Sequence, residues 1–161
     1  MISSDLVDEI AADPSAYVIL FPDESALELK DLPSEEYSKI RNVIVIDGTW
    51  SQAAAINRTD PYCKLRRIKI NPNLRTVFWR YQDLGEHCLS TIEAIYYFMR
   101  EFQEARDNDT DKTDAAVYDG RFDNLLYFFS FFYHLIQKSY ISNPERKYTS
   151  RHRSDYIKRE E

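Results

Sequence analysis

The sequence predicts an α/β fold, with a mostly parallel sheet flanked by helices. Two observations carry this prediction: short apolar runs typical of buried strands, and intervening stretches whose apolar residues recur with helical spacing. The chain has 161 residues, of which 43% are hydrophobic and 14% aromatic, which suffices for one sizeable core. We therefore expect a single domain over residues 1–161, with its ligand beyond the carboxyl ends of the strands.

The first half of the chain alternates apolar runs with segments of helical character. Continuous apolar runs bounded by turn residues are typical of strands buried on both faces. Helix is expected where good helix formers follow a capping residue, as they do after Thr49. In order, we predict a helix over 1–15, a strand over 16–21, a short helix within 27–41, a strand over 43–46 and a helix over 49–58.

The second half begins with two segments of strand character and ends with two helices. Residues 66–70 alternate charged and apolar, which favours an edge strand, and a second β-like run covers 76–81 after a turn at 71–73. Ser90 and Glu93 form a capping box that begins a helix, and a solvated acidic loop follows over 107–114. A last helix over 122–140 carries a stripe expected to pack on the sheet: Leu125, Phe128, Phe129, Phe132, Leu135 and Ile136.

Charge is distributed unevenly along the chain. The formal net charge of −6 argues against a surface that binds nucleic acid over its whole extent. Basic residues nevertheless collect in a C-terminal tail over 138–161 and in a stripe over 64–69. Each region is either a solvated surface or a contact for phosphate. The candidates for RNA contact are Lys64, Arg66, Arg67, Arg75, Arg146, Lys147 and Arg151.

Composition excludes several classes of site. Three glycines are too few for a phosphate-binding loop, and Cys63 and Cys88 are too far apart for a Cys-x-x-Cys metal site. The three histidines stand apart from any second ligand, so we predict no metal. Every apolar run falls short of the ~20 residues that span a bilayer, so we expect no membrane contact. Two cysteines in a chain of this size favour a reduced, intracellular setting.

The segment VIVIDGTW, residues 43–50, carries the most specific signal. An apolar strand ends in an acid, a glycine and a threonine able to cap the following helix. Asp-Gly is also typical of a β-hairpin turn, but a hairpin requires a second strand after it, and the residues after Trp50 favour a helix. Two interpretations stay open. In the first, Asp47 is an acid near a helix start that has only a structural role. In the second, it is a base or a substrate anchor, Thr49 presents a hydroxyl, and Trp50 forms a wall of the pocket.

A phosphatase of the haloacid dehalogenase type is excluded by one residue. That class carries its nucleophilic aspartate two positions before the second acid of an Asp-x-Asp-Gly-Thr motif. Here Gly48 and Thr49 match the end of the motif, but Val45 occupies the position of the nucleophile. Without that carboxylate there is nothing to attack phosphorus, and no aspartyl-phosphate forms.

Several blocks, in this order and at this spacing, resemble the DTW-domain family. The resemblance covers about residues 16–136. Its most specific parts are the Asp-x-Thr-Trp and Ser-Thr-x-Glu-Ala blocks, which together identify the chain as a member. The matching residues are Leu20-Phe21-Pro22, Ala26, Asp47-Gly48-Thr49-Trp50, Ala53, Arg80 and LSTIEA over 89–94.

The resemblance implies a tRNA-uridine aminocarboxypropyltransferase whose fold is related to that of the SPOUT methyltransferases. Members of the family transfer the 3-amino-3-carboxypropyl group of S-adenosylmethionine to N3 of a tRNA uridine and release methylthioadenosine. It thus implies tRNA as a partner and S-adenosylmethionine as a co-substrate. We expect such a protein in the cytoplasm, the nucleus or both.

The resemblance also assigns roles to single residues. It implies catalysis by Asp47, Thr49 and Trp50, and donor binding by Leu20, Pro22, Arg80, Leu89, Ser90, Thr91 and Glu93. N3 of uridine carries a proton, so its attack on carbon calls for a base, and Asp47 is the candidate. An ordinary aspartate with a pKa near ~3.9 is a weak base, so we expect Asp47 to be buried against Trp50.

The chain departs from the family at its start. Members commonly begin with a cysteine-rich stretch and a further strand and helix, whereas Met1 stands only about fifteen residues before the first strand expected here. A missing strand would leave a sheet edge exposed and remove part of the donor pocket. The alternative function is therefore RNA or partner binding without turnover. Methyl transfer from the same donor is a third possibility.

Overall fold

The structure is a computed structural model that describes residues 4–79, 85–109, 118–147 and 156–157. The residues cluster into two compact units. Unit 1 comprises Met1–Asn71 and Tyr97–Val117, and unit 2 comprises Pro72–Tyr96 and Tyr118–Glu161. The single domain expected from the sequence stays a prediction.

Unit 1 contains a four-stranded sheet in which every pairing is parallel. Its strands are β1 (Tyr17–Leu20), β2 (Leu27–Glu28), β3 (Asn42–Val45) and β4 (Arg66–Lys69), in the order β2-β4-β1-β3. The register pairs Leu20 of β1 with Val45 of β3 and with Ile68 of β4. The predicted α/β fold with a mostly parallel sheet is therefore confirmed, and the carboxyl ends of β1, β3 and β4 lie along one edge of the sheet.

Three details of the strand predictions are wrong. β3 is one of the two edge strands of the described sheet and is only half-buried, so its apolar run does not mark a strand covered on both faces. β4 was expected at an edge but lies between β1 and β2, because Arg67 is accommodated inside by an ion pair. Residues 76–79 form no strand, and the rest of that predicted run lies outside the described residues.

The core of unit 1 forms on both faces of β1. All four residues of this strand are buried. Alternate side chains of a strand point to opposite faces, and Tyr17 and Ile19 pack with Ile10, Tyr62 and Leu65 on one of them. Ile10 comes from helix α1 (Ser4–Ala12), so this helix covers that face.

Most of the described helices agree with the prediction from the sequence. α1, the short helix α2 (Ser34–Tyr37), α3 (Trp50–Asn57) and α4 (Thr91–Asp109) confirm four expected segments. Three short 3₁₀ turns in unit 1, Pro14–Ala16, Leu29–Asp31 and Tyr62–Lys64, were not predicted. The acidic loop expected over 107–114 is wrong for residues 107–109, which continue α4, and residues 110–114 lie outside the described residues.

Unit 2 contains the predicted aromatic helix, but its stripe is not core. After a 3₁₀ turn, Asp123–Leu126, helix α5 extends over Tyr127–Ile141. Phe129 and Ile136 are half-buried, and they pack inside unit 2 against residues that include Trp79. The other four members of the stripe, Leu125, Phe128, Phe132 and Leu135, are exposed. Helical spacing identified which residues share a side of the helix, but not whether that side is covered.

Candidate functional site

Two loops meet at the carboxyl edge of the sheet in unit 1. One follows β1 and begins with Phe21 and Pro22, and the other follows β3 and contains Asp47 and Gly48. Because β1 and β3 are adjacent and parallel, both loops leave the sheet at the same side. The rings of Phe21 and Trp50 are 6.3 Å apart at their centroids, with a tilt of 54°. The structure thus brings the predicted Leu20–Pro22 and Asp47–Trp50 segments together.

The turn after β3 is shaped by glycine and by a capping box. Gly48 has a φ of +155°, a conformation that residues with side chains rarely adopt. Thr49 then caps α3: its Oγ1 accepts a hydrogen bond from the Gln52 N–H at 3.4 Å. In return, the Thr49 N–H donates to Oε1 of Gln52 at 3.0 Å. The predicted cap is confirmed, and Gln52 completes it as the reciprocal partner.

Asp47 lies between the end of β3 and this cap, and it is exposed. The expectation that it is buried against Trp50 is therefore wrong. Trp50 itself is half-buried and packs on Phe21. Asp47 lies at the carboxyl edge of a parallel sheet, which is where ligands of such folds bind. Its role as a base stays a prediction.

A polar cluster that the sequence did not reveal fixes the loop after β1. Asp23 Oδ2 lies 2.7 Å from Nε of Arg67, whose side chain is only 16% exposed. The N–H and hydroxyl of Ser25 donate to Asp23 Oδ1 at 2.8 and 2.6 Å. Arg67 also donates to the carbonyl oxygen of Asn57, the last residue of α3, at 3.3 Å. These contacts tie the loop after β1 to β4 and to α3.

The ionisation of Asp23 follows from these contacts. Burial opposes the charged form, but the hydrogen bonds from Ser25 and the positive charge of Arg67 outweigh it. The pKa of the Asp23 carboxyl therefore lies below its ordinary value. Of these residues, only the Asp-x-Ser spacing of Asp23 and Ser25 carries a sequence signal, which is that of a side-chain-stabilised turn.

The predicted basic stripe divides into two parts. Lys64 and Arg66 are exposed, and each is paired with an acid: Lys64 with Asp60 at 2.7 Å, and Arg66 with Glu36. Arg67 is engaged inside the protein by Asp23, so it does not belong to an exposed stripe. Lys64 and Asp60 are both well exposed, so their ion pair is weak and Lys64 can exchange its carboxylate for another anion at little cost. The partner of Arg66, Glu36, is only 24% exposed, so this second pair is more firmly held.

In unit 2, the start of α4 is organised around the buried carboxylate of Glu93, which is 3% exposed. Its Oε2 accepts hydrogen bonds from the N–H of Ser90 at 2.8 Å and from the hydroxyls of Ser90 and Thr76, both at 2.7 Å. Its Oε1 accepts from the N–H of Val77 at 2.9 Å. The predicted pairing of Ser90 with Glu93 is confirmed, whereas the bonds to Thr76 and Val77 had no sequence signal.

The remaining predicted residues of unit 2 lie around this cluster or on α5 and its C-terminal end. Leu89, Ser90 and Thr91 are half-buried at the start of α4. Arg75 is exposed and pairs with Glu86 at 3.1 Å. Arg146 lies over the ring of Tyr140, 4.8 Å from its centroid, and Lys147 is exposed. Two predicted residues, Arg80 and Arg151, lie outside the described residues. The structure thus places the predicted catalytic residues in unit 1, and Leu89, Ser90, Thr91 and Glu93 in unit 2.

The described residues hold neither a candidate metal site nor a candidate membrane-spanning helix. Within the described ranges, no group of three or more His, Cys, Asp or Glu side chains is placed to hold a metal ion. No helix in those ranges has both the length and the apolar character needed to cross a membrane. Cys63 is exposed and Cys88 is buried, and both are free thiols.

The protein is thus of the α/β class, and its parallel strands carry a candidate site at their carboxyl ends. This site combines the acid Asp47, the helix start capped by Thr49, and the aromatic pair of Phe21 and Trp50. A family model described as the DTW domain matches residues 3–137, and the chain belongs to that family. No solved structure matches the chain significantly.

Curated relatives of this chain share one name, tRNA-uridine aminocarboxypropyltransferase 1. The protein from Rattus norvegicus is 36% identical over 110 residues, which cover 68% of this chain and 34% of the relative. That from Mus musculus is 33% identical over 126 residues, covering 78% and 38%. That from Homo sapiens is 32% identical over 137 residues, covering 77% and 42%. The chain therefore spans about a third to two-fifths of the length of these relatives.

Proposed function

We propose that this chain modifies tRNA by transferring the 3-amino-3-carboxypropyl group of S-adenosylmethionine to N3 of a uridine. The observation that carries the proposal is the Asp47-to-Trp50 block at the carboxyl edge of the sheet, in a chain of the DTW domain family. The names of the curated relatives support the same reaction. The all-parallel sheet is compatible with a SPOUT-related fold, which is part of the proposal. The proposal places the protein in the cytoplasm, the nucleus or both.

The reaction is a displacement at carbon. The bond from uridine N3 to the transferred carbon forms while the bond from that carbon to sulfur breaks. The sulfur leaves as the thioether of methylthioadenosine, and its positive charge is cancelled. The N3 proton leaves to a base, for which we propose Asp47. Alignment of the nucleophile, carbon and sulfur dominates such a step, so the protein contributes mainly by positioning.

Because Asp47 is exposed, it can act as the base only if it is shielded from water when the substrate binds. A carboxylate in water is a weak base near neutral pH, and removing water strengthens it. We propose that the uracil ring supplies this shielding when it lies over Asp47, against the aromatic wall formed by Trp50 and Phe21. Base stacking on aromatic side chains is a common means of holding single bases. Gly48 and the cap at Thr49 fix the position of Asp47 beneath that ring.

The tRNA backbone requires cations, and the described residues offer a few at the surface. Lys64, Arg66, Arg75 and Lys147 are exposed. Because the formal net charge is −6, we propose that RNA contact is confined to such local groups. Because few phosphates are neutralised, tRNA binding should weaken with added salt less steeply than that of a protein that makes many phosphate contacts.

The test measures nucleoside masses after incubation of the purified chain with S-adenosylmethionine and unmodified tRNA. Asp47→Asn is the test variant, and Asp8→Asn is its control, because Asp8 is an exposed aspartate on α1. Aminocarboxypropyl-uridine is expected from the wild type and from Asp8→Asn, with Asp47→Asn losing at least about 100-fold in rate. Undiminished turnover by Asp47→Asn refutes the role of Asp47. Methylated uridine as the product refutes the proposed transfer.

A second candidate function is binding of RNA or a protein partner without turnover. The exposure of Asp47 favours it, because a base with no shielding is weak. The same experiment separates the candidates when tRNA binding is measured alongside it. Retained binding of tRNA with no modified nucleoside, in the wild type and in both variants, establishes the second candidate.

A further inference from the structure

Arg67 contacts both of the elements that carry the aromatic wall of the candidate site. One element is the loop after β1, which contains Phe21, and the other is helix α3, which begins at Trp50. Arg67 itself lies on β4, the strand next to β1. Its side chain is only 16% exposed, and a charge held this far from water is costly unless its partners are well placed. Its contacts therefore indicate a role inside unit 1.

The loop after β1 is held against β4 at two points. The Phe21 N–H donates to the carbonyl oxygen of Ile68 at 3.0 Å, which extends the pairing of β1 with β4 into the loop. Two residues further along, Asp23 forms its ion pair with Arg67. The Ala26 N–H then donates to the carbonyl oxygen of Asp23 at 3.1 Å, which closes the turn. The path of the chain after Phe21 is thus fixed by the residue that Arg67 holds.

Helix α3 is held by the same guanidinium, at the end opposite Trp50. Arg67 donates to the carbonyl oxygen of Asn57, the last residue of α3. The last carbonyl groups of a helix have no partner within it and carry partial negative charge, so a cation is favourable there. Asn57 is buried, and its side chain is a further hydrogen-bond partner of Asp23. Because α3 has only eight residues, fixing its last turn also fixes the direction of its first residue, Trp50.

The two contacts use different nitrogens of one planar group. Nε of Arg67 lies 2.7 Å from Oδ2 of Asp23, and Nη2 lies 3.3 Å from the carbonyl oxygen of Asn57. A guanidinium is rigid, so it fixes the angle between its two partners, whereas a lysine offers one point charge on a flexible stem. Arg67 therefore does more than neutralise Asp23, because it fixes the loop after β1 relative to α3.

We propose that Arg67 is a positioning residue that sets the placement of Phe21 against Trp50, and with it the aromatic wall on which the uracil ring stacks. The inference rests on the proposed function, because it requires a base at this wall. Arg67 does not touch the substrate in this role and acts through Asp23 and the end of α3. Arg67→Lys keeps the charge but loses the fork of donors, so it should disturb the wall in a chain that still folds.

The fluorescence of Trp50 reports on the wall without any reaction. The chain has two tryptophans, so Trp79→Phe leaves Trp50 as the only one. In that background, Phe21→Ala removes one ring of the wall and defines the full increase in quenching of Trp50 by acrylamide. Arg67→Lys is expected to give at least about half of that increase. Arg58→Lys is the matched control, because Arg58 is exposed and directly follows α3, and it should leave the quenching unchanged.

Transfer kinetics connect the wall to the reaction. The uracil ring is one of many contacts of a bound tRNA, so Arg67→Lys should change the KM for tRNA by less than about threefold. A misplaced base loses alignment with the donor, so kcat should fall by about 10–100-fold. Asp23→Asn should act in the same direction, and its effect should not add to that of Arg67→Lys, because both changes disrupt one contact. Urea denaturation verifies that each variant is folded.

A milder variant keeps the test decisive if Arg67→Lys does not fold. Ser25→Ala removes one hydrogen bond from Asp23 and leaves the ion pair with Arg67 in place. It should increase the quenching of Trp50 by less than Phe21→Ala does, but measurably.

Three results overturn the inference. The first is quenching of Trp50 that stays unchanged in folded Arg67→Lys or, failing that, in Ser25→Ala. The second is increased quenching with an undiminished kcat, which leaves the proposed transfer intact and removes Arg67 from it. The third is a higher KM for tRNA with unchanged quenching, which makes Arg67 an RNA contact instead. A wild type that forms no modified nucleoside refutes the proposed function, and the quenching alone then decides whether Arg67 places the wall.

Discussion

Replacing Glu93 with alanine removes the acceptor of four hydrogen bonds at the start of α4. The donors are the N–H and hydroxyl of Ser90, the hydroxyl of Thr76 and the N–H of Val77, at 2.7–2.9 Å. Their environments differ. Thr76 is buried and Ser90 is half-buried, so water can replace the carboxylate more easily at Ser90.

The expected loss follows from this difference. A buried donor left without its acceptor costs about 1–3 kcal/mol, which applies to Thr76 and, in part, to Val77. The rehydrated donors of Ser90 cost about 0.5–1 kcal/mol in total, as at other helix caps. We expect Glu93→Ala to lower the free energy of unfolding by roughly 3–5 kcal/mol, a large share of the 5–15 kcal/mol typical of a domain. The midpoint of thermal unfolding should fall by roughly 6–20 °C for a chain of this size.

Urea denaturation measures the loss, with Glu104→Ala as the matched control on the same helix. Glu104 is exposed and its oxygen is 3.8 Å from Arg100, so its removal should change stability by less than about 0.5 kcal/mol. Glu93→Gln should also be destabilised. The NH₂ group of the glutamine amide is a donor, so it cannot accept the hydrogen bonds that the N–H and hydroxyl groups now donate to the carboxylate. A loss below about 1 kcal/mol in Glu93→Ala, or one equal to that of Glu104→Ala, would refute the assigned role of this carboxylate.

Three further predictions concern single groups. Thr49→Ala should lower the free energy of unfolding by about 1 kcal/mol through loss of the cap, measured by urea denaturation, whereas Thr49→Ser should not. The pKa of Asp23 is lowered in the folded state, so its contribution to stability is full above the pKa of the unfolded chain and is lost as the pH falls through the lower, folded value. The difference in melting temperature between the wild type and Asp23→Asn should therefore be present at neutral pH and shrink in acid; a constant difference would contradict it. Burial raises the pKa of the Cys88 thiol, so a maleimide at pH 7 should label the exposed Cys63 first, which mass spectrometry of timed samples checks.

Local signals accounted for much of the fold. The apolar run around Val18 and Ile19 marked β1 because a strand buried on both faces has no polar alternation. Thr49 and Ser90 marked the starts of α3 and α4 because a helix start needs a side-chain acceptor or a reciprocal acid nearby. These features depend on residues that are close together in the sequence, so the sequence alone could predict them.

The predictions that are wrong concern residues whose partners are distant in the sequence. The charge of Arg67 indicated an outer strand, yet Asp23, which lies in the loop after β1, lets β4 lie inside the sheet. The residues after Arg75 have strand-like composition, but their N–H and hydroxyl groups bond to Glu93 rather than to a neighbouring strand. No pattern within a short window encodes such pairings.

The candidate site shows the same limit. The sequence identified Asp47, Thr49 and Trp50 as one block, and the parallel register brought the Phe21 loop beside them. It did not predict that Asp47 is exposed, because exposure depends on how the surrounding loops pack. It also missed the cluster that fixes the loop after β1.

The pairing of Asp23 with Arg67 has a consequence for how this family evolves. A largely buried guanidinium that loses its carboxylate costs several kcal/mol, whereas an apolar pair of similar volume is often tolerated. A change at Asp23 alone should thus be selected against, and so should a change that leaves Asp23 facing an apolar residue. Across the DTW domain family, the two positions should covary, either as an ion pair or as two apolar residues, although they are far apart in the sequence.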